Sequence, residues 1–333
     1  MSNNFWQQSD KPILALAPMA GVTDPAFRFI CSEFGADVVY SEMANVTALK
    51  YQPRKTLEML RSFSGQTPYV IQLFGSDPEE FAWAARLLTQ KKEIEKLGVD
   101  NYLIPDGIDI NFGCPVPKVA KAGAGAELFK DFNNSYQIIR SVIKNTDLPV
   151  SIKTRTVAHQ RDVLEFLEYI KDLEVSAVMI HGRTLSQGFS GEADIDKIKQ
   201  VKERFDGLVL ANGGINGQQD AWRMIKRTEA DGVGVARGAM GNPWIFEDIK
   251  NKKASYKKLE DIYKTVLEQA KSAYQMKGER GVIEMRKHLC WYVTGLPGAS
   301  RMRERLVNIN SIEDIKEVFD QFKRAPRQIS NQR

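Results

Sequence analysis

A chain of 333 residues with 43% hydrophobic composition can bury one large core or two moderate ones, which excludes disorder as its overall state. No apolar run approaches the roughly 20 residues that cross a bilayer, MSNNFWQQSDK lacks the order of a secretion signal, and cysteines 31, 114 and 290 have neither paired nor metal-ligand spacing, so a cytoplasmic, reduced protein with no membrane or metal partner is expected. The net charge of +5 is unevenly placed: from Ser255 onward sixteen Lys+Arg face ten Asp+Glu, which on charge alone suits either an anionic partner such as nucleic acid or a merely solvated basic helix in the last quarter.

Up to about residue 245 one grammar repeats. A short apolar, often β-branched run ends in Gly, Pro, Asn or a charge, and a longer helical pattern follows. The expected strands, in order, are ILALA (13–17), DVVYS (37–41), YVIQLF (69–74), GIDINF (107–112), PVSIKT (149–154), AVMIHG (177–182), LVLAN (208–212) and GVGVA (232–236). Between them DPAFRFICSEFG, DPEEFAWAARLLTQ and DVLEFLEYIKDL are amphipathic, and each opens with an Asp suited to capping a helix. The linker QKKEIEKLGVDNYLIPD (90–106) precedes the fourth strand and suggests no function. Eight strand–helix units in this length predict a closed (β/α)8 TIM barrel. An open doubly wound sheet is disfavoured because Ala17-Pro18-Met19-Ala20-Gly21, not Gly-x-Gly-x-x-Gly, follows the first strand. Beyond it KLEDIYKTVLEQAKSAYQM and SIEDIKEVFDQF have helical period, so a barrel domain (1–250) precedes a smaller all-helical domain (251–333) with a disordered C-terminal tail.

A barrel gathers the C-terminal ends of its strands at one mouth. Converging there would be Pro18-Met19-Ala20, Glu42, Gln72, Asn111 with Cys114, Lys153 with Arg155, His181 with Arg183, Asn212 and Arg237. A buried parallel strand has no structural need for such endings, which points to a functional site. The glycine-rich turns LANGGI (210–215) and VARGAMGNPWIF (235–246) follow strands seven and eight, where backbone N–H groups bind phosphate. FMN fits this arrangement, with Lys153 as the cation for the anionic edge of a reduced ring. A Schiff-base role for Lys153 and a general-base role for His181 stay open at this point.

Cys31 and Cys290 read as small apolar fillers. Cys114 differs, because Gly113 and Pro115 end the strand and project the thiol from a loop at the mouth. The following KVAKAGAGAEL has the small residues of a mobile lid, expected to be unordered before substrate arrives. In the last region, RKHLCWYVTGLPGASRMRERL interleaves Arg286, Lys287, His288, Arg301, Arg303 and Arg305 with Trp291 and Tyr292, a pattern that can grip RNA. At least one of the two aromatics is expected in the core.

The motifs APMAGVTDPAFR, INFGCPVPKVAKAGAGAEL, IKTR, HGRT, LANGGI, ARGAMGNPWIF and MRKHLCWYVTGLPGA, in this order from about residue 12 to 322, together resemble the tRNA-dihydrouridine synthases of the bacterial type. The resemblance implies an FMN enzyme that uses NADPH to reduce the C5–C6 double bond of particular uridines in tRNA, with hydride going to C6 and Cys114 protonating C5. It implies FMN contacts from Pro18, Met19, Ala20, Gln72, Lys153, His181, Asn212, Gly213, Gly214, Ala236 and Arg237. Asn111 and Arg183 would face the uracil, and the last helical region, with Arg286, Lys287 and His288, would bind tRNA. A free thiol, with pKa about 8.5, arrives protonated and suits proton donation at neutral pH.

Three positions depart from the family pattern: Gly214 stands where Asp is usual, Ala236 where Gly is, and Ala122 where a basic residue is common. Two rivals differ in what they require. An FMN-dependent small-molecule dehydrogenase of the dihydroorotate dehydrogenase type needs no basic last quarter, and a non-catalytic tRNA-binding protein needs no Cys114, Lys153 or His181.

Overall fold

The computed structural model describes residues 4–65, 68–100 and 102–324. The C-terminal tail expected to be disordered lies largely outside the described residues. Eight parallel strands form a closed cycle: β1 (Ile13–Leu16), β2 (Val38–Tyr40), β3 (Tyr69–Phe74), β4 (Gly107–Asn111), β5 (Val150–Arg155), β6 (Val175–His181), β7 (Leu208–Asn212) and β8 (Gly232–Val235). β1 pairs with β8 from Ile13↔Gly232 to Leu16↔Val235, and β2 pairs with both β1 and β3, so the barrel closes without an edge. All eight expected strands are present, with no end moved by more than two residues.

Alternation along the strands builds two cores. One parity, including Leu14, Leu16, Ile71, Leu73, Ile108, Ile110, Ile152, Val178 and Val209, packs outward beneath the helices. The other fills the lumen with Ile13, Ala15, Val38, Tyr40, Val70, Ala177, Met179 and Leu210, and buried Trp6 packs with this inner cluster. Each large apolar side chain so buried contributes roughly 1.5–3 kcal/mol. Further along the strands, the inward parity carries Gln72, Asp109, Asn111, Ser151, Lys153, His181 and Asn212. The same alternation that makes the core therefore delivers the polar groups to the mouth.

The helices begin on side-chain caps. Asp24 accepts from Phe27 N at 3.0 Å ahead of α1 (Pro25–Glu33), and Asp77 from Glu79 N at 2.8 Å ahead of α2 (Pro78–Leu88). After β4 the chain does not form the irregular lid expected from its small residues. It makes α3 (Pro117–Lys121), which opens on a proline, then a 3-10 turn (Gly125–Lys130) whose Ala126, Leu128 and Phe129 are buried. α4 (Val163–Tyr169) is capped by Asp162. The 90–106 linker contributes a short helix, Lys91–Lys96, with Ile94 in the outer core.

Among the described residues, those up to Ala239 together with Trp244–Ala254 form one compact unit, and Met240–Pro243 with those from Ser255 form a second. The second is helical: α5 (Leu259–Lys277), α6 (Glu279–Glu284), α7 (Arg286–Tyr292), α8 (Ala299–Leu306) and α9 (Ile312–Arg324). Tyr263 stacks on Phe319, and the Tyr292 hydroxyl donates to buried Gln269 at 2.7 Å. Among the described residues no helix is long and apolar enough to cross a membrane.

Candidate active site

The ends of β3, β4 and β5 hold one continuous polar network. Asp109, fully buried, accepts from Gln72 Nε2 and from Ser151 Oγ, both at 2.7 Å. Gln72 Oε1 accepts from Asn111 Nδ2 at 2.9 Å, and Asn111 Oδ1 accepts from the N–H groups of Gly113 (3.1 Å) and Cys114 (2.9 Å). Asn111 thus ends its strand by capping the corner that carries the thiol. From β5, Arg155 Nε donates to the Gly113 carbonyl at 2.9 Å, and its Nη1 reaches the carbonyls of Thr184 (3.0 Å) and Gly188 (2.9 Å). Behind the corner, Ala126 N bonds the Cys114 carbonyl at 3.2 Å. Gly125, at φ +65°, sits where a β-carbon would lie 2.9 Å from that oxygen, so the turn closes only on glycine.

Cys114 is half-buried, and burial pushes its thiol above the ordinary value, against the opposing pull of the Val116 backbone, Arg155 and Lys153. The group is therefore a neutral thiol at pH 7. Cys31 lies in the core as expected, whereas Cys290 is half-buried.

Across the mouth, Lys153 Nζ lies 3.4 Å from Asn212 Oδ1, whose own Nδ2 donates to the Gly234 carbonyl at 2.6 Å. Burial, then the neighbouring Arg155, lower Lys153 to about 8, leaving it a cation at neutral pH. His181 is lowered to about 2 by burial and by Lys153, Arg155, Arg183 and Arg237 around it. The imidazole is therefore neutral at physiological pH and a weak base, which disfavours the general-base alternative. Arg183 Nη1 faces His181 Nε2 at 3.3 Å; because arginine only donates, the imidazole proton belongs on Nδ1. Gly213, at φ +109°, packs so tightly there that a β-carbon would stand 2.7 Å from His181 Cδ2.

Most of the expected site residues are gathered here. Pro18 and Met19 are half-buried after β1, Ala20 and Gly214 are exposed, Ala236 is half-buried, and Arg237 is exposed at the end of β8. Arg183, expected at the uracil, directs its guanidinium to the carbonyls of Ser190 and Gly191 (2.7–3.1 Å) and to His181. The geometry favours a positioning role for it. His288 requires correction as an RNA contact: its ring is fully buried, edge-on to Trp291 at 5.0 Å, on the α7 face that also buries Leu289 and Tyr292. Arg286 donates to the Ile309 carbonyl at 2.7 and 2.9 Å and to Asn310 at 3.0 Å, and Lys287 to the Glu284 carbonyl at 3.1 Å.

Sequence reasoning missed Asp109, the three-carbonyl tie of Arg155, and Phe189. The exposed ring of Phe189 lies 4.8 Å from the Arg237 guanidinium and 6.2 Å from His181. An acid inside the apolar run GIDIN was the available signal for the first. A cavity of about 1670 Å³ opens at the opposite end of the barrel, among Pro105, Asp106, Leu148, Pro149, Glu174 and Gly207. It contains none of the mouth residues, and that end of a barrel serves stability rather than chemistry.

The family model described as Dihydrouridine synthase (Dus) matches residues 15–327. The chain is 33% identical to a tRNA-dihydrouridine synthase B of Pseudomonas syringae pv. tomato over 325 residues, covering 94% of this chain and 93% of that protein. It is 33% identical to that of Pasteurella multocida, covering 91% and 89%. A probable tRNA-dihydrouridine synthase of Helicobacter pylori is 32% identical, with 94% and 92% covered. Among solved structures, histamine dehydrogenase from Rhizobium sp. 4-9 superposes with a TM-score of 0.52 at 13% identity, over 93% of this chain and 62% of that one. The chain thus spans less than two thirds of that structure, and the likeness shows the barrel fold alone.

Proposed function

The chain belongs to the dihydrouridine synthase family, and from that premise we propose that it reduces the C5–C6 double bond of particular uridines in tRNA, with FMN as cofactor and NADPH as reductant. The observation that carries this reading is the neutral Cys114 thiol, held at the end of β4 by Asn111 and Arg155 beside a cation-rich mouth.

The residues present fit FMN. Lys153 offers a cation beside Asn212, and the Gly213 turn brings bare backbone against His181 where a side chain would clash. Pro18, Met19, Ala20 and Gln72 would hold the ring with Lys153 and His181, and Asn212, Gly213, Gly214, Ala236 and Arg237 the remainder. Backbone binding tolerates Gly214 and Ala236, since neither side chain is needed to present an N–H. When bound and reduced by NADPH, FMN supplies the hydride for C6.

The chain's own residues do the rest. Cys114 gives its proton to C5, and the thiolate left behind is favoured by Arg155 and Lys153, whose charges already pull the thiol pKa down against burial. Asn111 Nδ2 keeps one hydrogen on Gln72 and turns the other only toward the Met43 sulfur at 3.7 Å, a weak acceptor that a uracil carbonyl would displace. The target base must leave its stack, which costs a few kcal/mol and is easiest in a tRNA loop. The basic helical unit would hold the RNA backbone meanwhile. A tRNA substrate and a reduced thiol accord with a cytoplasmic protein.

The test is to map dihydrouridines in tRNA from cells with and without the protein, and with Cys114→Ala in its place. Specific sites should be lost in both, while purified Cys114→Ala protein keeps a flavin absorbance spectrum and tRNA affinity. Unchanged dihydrouridine in the Cys114→Ala cells would overturn the proton-donor assignment, and a colourless wild-type protein would overturn the cofactor.

A further inference from the structure

We propose that Asp109 is a positioning residue for Cys114: its carboxylate sets the direction of the Gln72 and Asn111 amides, and through them the corner that carries the thiol. The role rests on the proposed function, because it matters to the reaction only if Cys114 is the proton donor.

A side-chain amide is nearly symmetric in shape, so its direction in a network is decided by neighbours that can only donate or only accept. Here both kinds are present, at opposite ends of one chain. Ionised Asp109 only accepts. It takes the Gln72 NH2 at 2.7 Å, which turns Gln72 Oε1 toward Asn111 and fixes the Asn111 NH2 on that oxygen at 2.9 Å. Asn111 Oδ1 is thereby aimed at the N–H groups of Gly113 and Cys114, which only donate. Reversing either amide would set donor against donor at one contact and acceptor against acceptor at the other, where Gln72 is 1% and Asn111 7% exposed and buried mismatches are costly. Ser151 donates to the second carboxylate oxygen at 2.7 Å, so Asp109 is itself held.

Burial raises Asp109 to about 6, so it remains mostly ionised, and acceptor-only, at neutral pH. The packing of the strand ends does not require a charge at this depth. Leucine would fill nearly the same space in a lumen whose neighbouring layer is Tyr40, Val70 and Ala177.

The experiment compares Asp109→Leu and Asp109→Asn in the full-length holoenzyme, with three readouts. Asp109→Leu leaves the Gln72 NH2 without its acceptor. Asp109→Asn keeps an acceptor oxygen for Gln72 and can turn its own NH2 to Ser151 Oγ. For Asp109→Leu, oxidation of the reduced flavin by tRNA should slow on the order of 30–100-fold, the loss that a misplacement of about 1 Å produces. Flavin reduction by NADPH, which does not use Cys114, should fall by much less, its change reporting only the Gln72 contact to the ring. Iodoacetamide labelling of Cys114, followed by peptide mass and independent of cofactor, should speed up severalfold as the corner opens. Asp109→Asn should recover all three to within about threefold.

Wild-type rates and labelling in Asp109→Leu would overturn the proposal. So would an Asp109→Asn as impaired as Asp109→Leu, since the charge and not the amide direction would then matter. If Asp109→Leu does not fold, Gln72→Met cuts the same chain one link later, and unchanged Cys114 labelling in that variant would also overturn it. Cys114→Ala run in parallel separates the two readings. Activity in Cys114→Ala sinks the proton-donor role whatever Asp109 does, and labelling still decides the positioning.

Discussion

The Arg155 guanidinium, carried on β5, donates to the carbonyl of Gly113 on the neighbouring strand's end at 2.9 Å. One side chain thereby ties the cysteine corner to the loop after β6, where it also holds the carbonyls of Thr184 and Gly188. Arg155→Lys keeps the charge but cannot present a planar fork to three carbonyls. It should lower stability by about 1–3 kcal/mol, the cost of leaving buried acceptors unmade. Thermal denaturation checks this, and uridine-dependent flavin oxidation should fall at least about tenfold with it. A wild-type melting temperature together with wild-type turnover would show that the tie is dispensable.

Gly213 meets His181 with no room for a methyl group and with φ in the left-handed half of backbone space. Gly213→Ala should therefore displace the imidazole or the turn, at a strain cost of about 1–3 kcal/mol. FMN affinity, read by quenching of flavin fluorescence, should weaken about tenfold or more, since 1.4 kcal/mol is a factor of ten. An unaltered affinity would mean that the turn does not contact the cofactor.

These two sites differ in how far they could be read from the chain. The glycine turn and the strand ends were legible because the βα grammar repeats eight times and each strand's alternation assigns its faces. Asp109 was not, since one acid in GIDIN looks like a strand end until Gln72 and Ser151 are seen to flank it across two strand pairings. The segment after Cys114 read as a lid because Ala and Gly carry no periodicity. What orders it is the burial of Leu128 and Phe129 in the outer core and the Ala126 bond to Cys114. His288 was misplaced because a seven-residue helix with basic and aromatic residues interleaved has too few turns to tell its inner face from its outer one.

Lys153 sets a pH dependence for cofactor binding. Its pKa is lowered to about 8, first by burial, so the free protein loses this charge as pH rises through 8. An anionic ligand would hold the proton on and raise the value in the complex. FMN should thus bind about tenfold more weakly at pH 9 than at pH 7, and Lys153→Met should bind weakly with a flat profile over that range. Equal affinity of wild type at the two pH values would place Lys153 away from the cofactor's charge.

Asp109 should make the protein less stable at neutral pH than a neutral isostere would. Its folded pKa, about 6, exceeds the ordinary 3.8 because burial penalises the charge. The folded state therefore binds the proton more tightly than the unfolded one. The stabilisation this gives is complete below about 3.8 and lost as pH rises through about 6. Asp109→Asn should consequently gain on the order of 3 kcal/mol over wild type at pH 7.5, with the gap closing near pH 4. Denaturant titrations at the two pH values check this. A gap independent of pH would show that folding does not raise the Asp109 pKa.

The RNA surface of the helical unit should not coincide with all the basic residues of α7. Arg286 gives both arms of its guanidinium to the Ile309 carbonyl and Asn310, so Arg286→Ala should lower the stability of the unit by about 1–2 kcal/mol. Its effect on tRNA affinity should follow that loss and leave the salt dependence alone. Lys287 keeps a single hydrogen bond to the Glu284 carbonyl and is half-buried, while Arg301 on α8 is exposed. Replacing these two together with alanine should weaken tRNA binding with little change in melting temperature, and should flatten the dependence of log affinity on log salt by about one for each phosphate contact removed. An unchanged salt slope in the double variant, or a flattened one in Arg286→Ala at full stability, would move the phosphate-binding face to other residues.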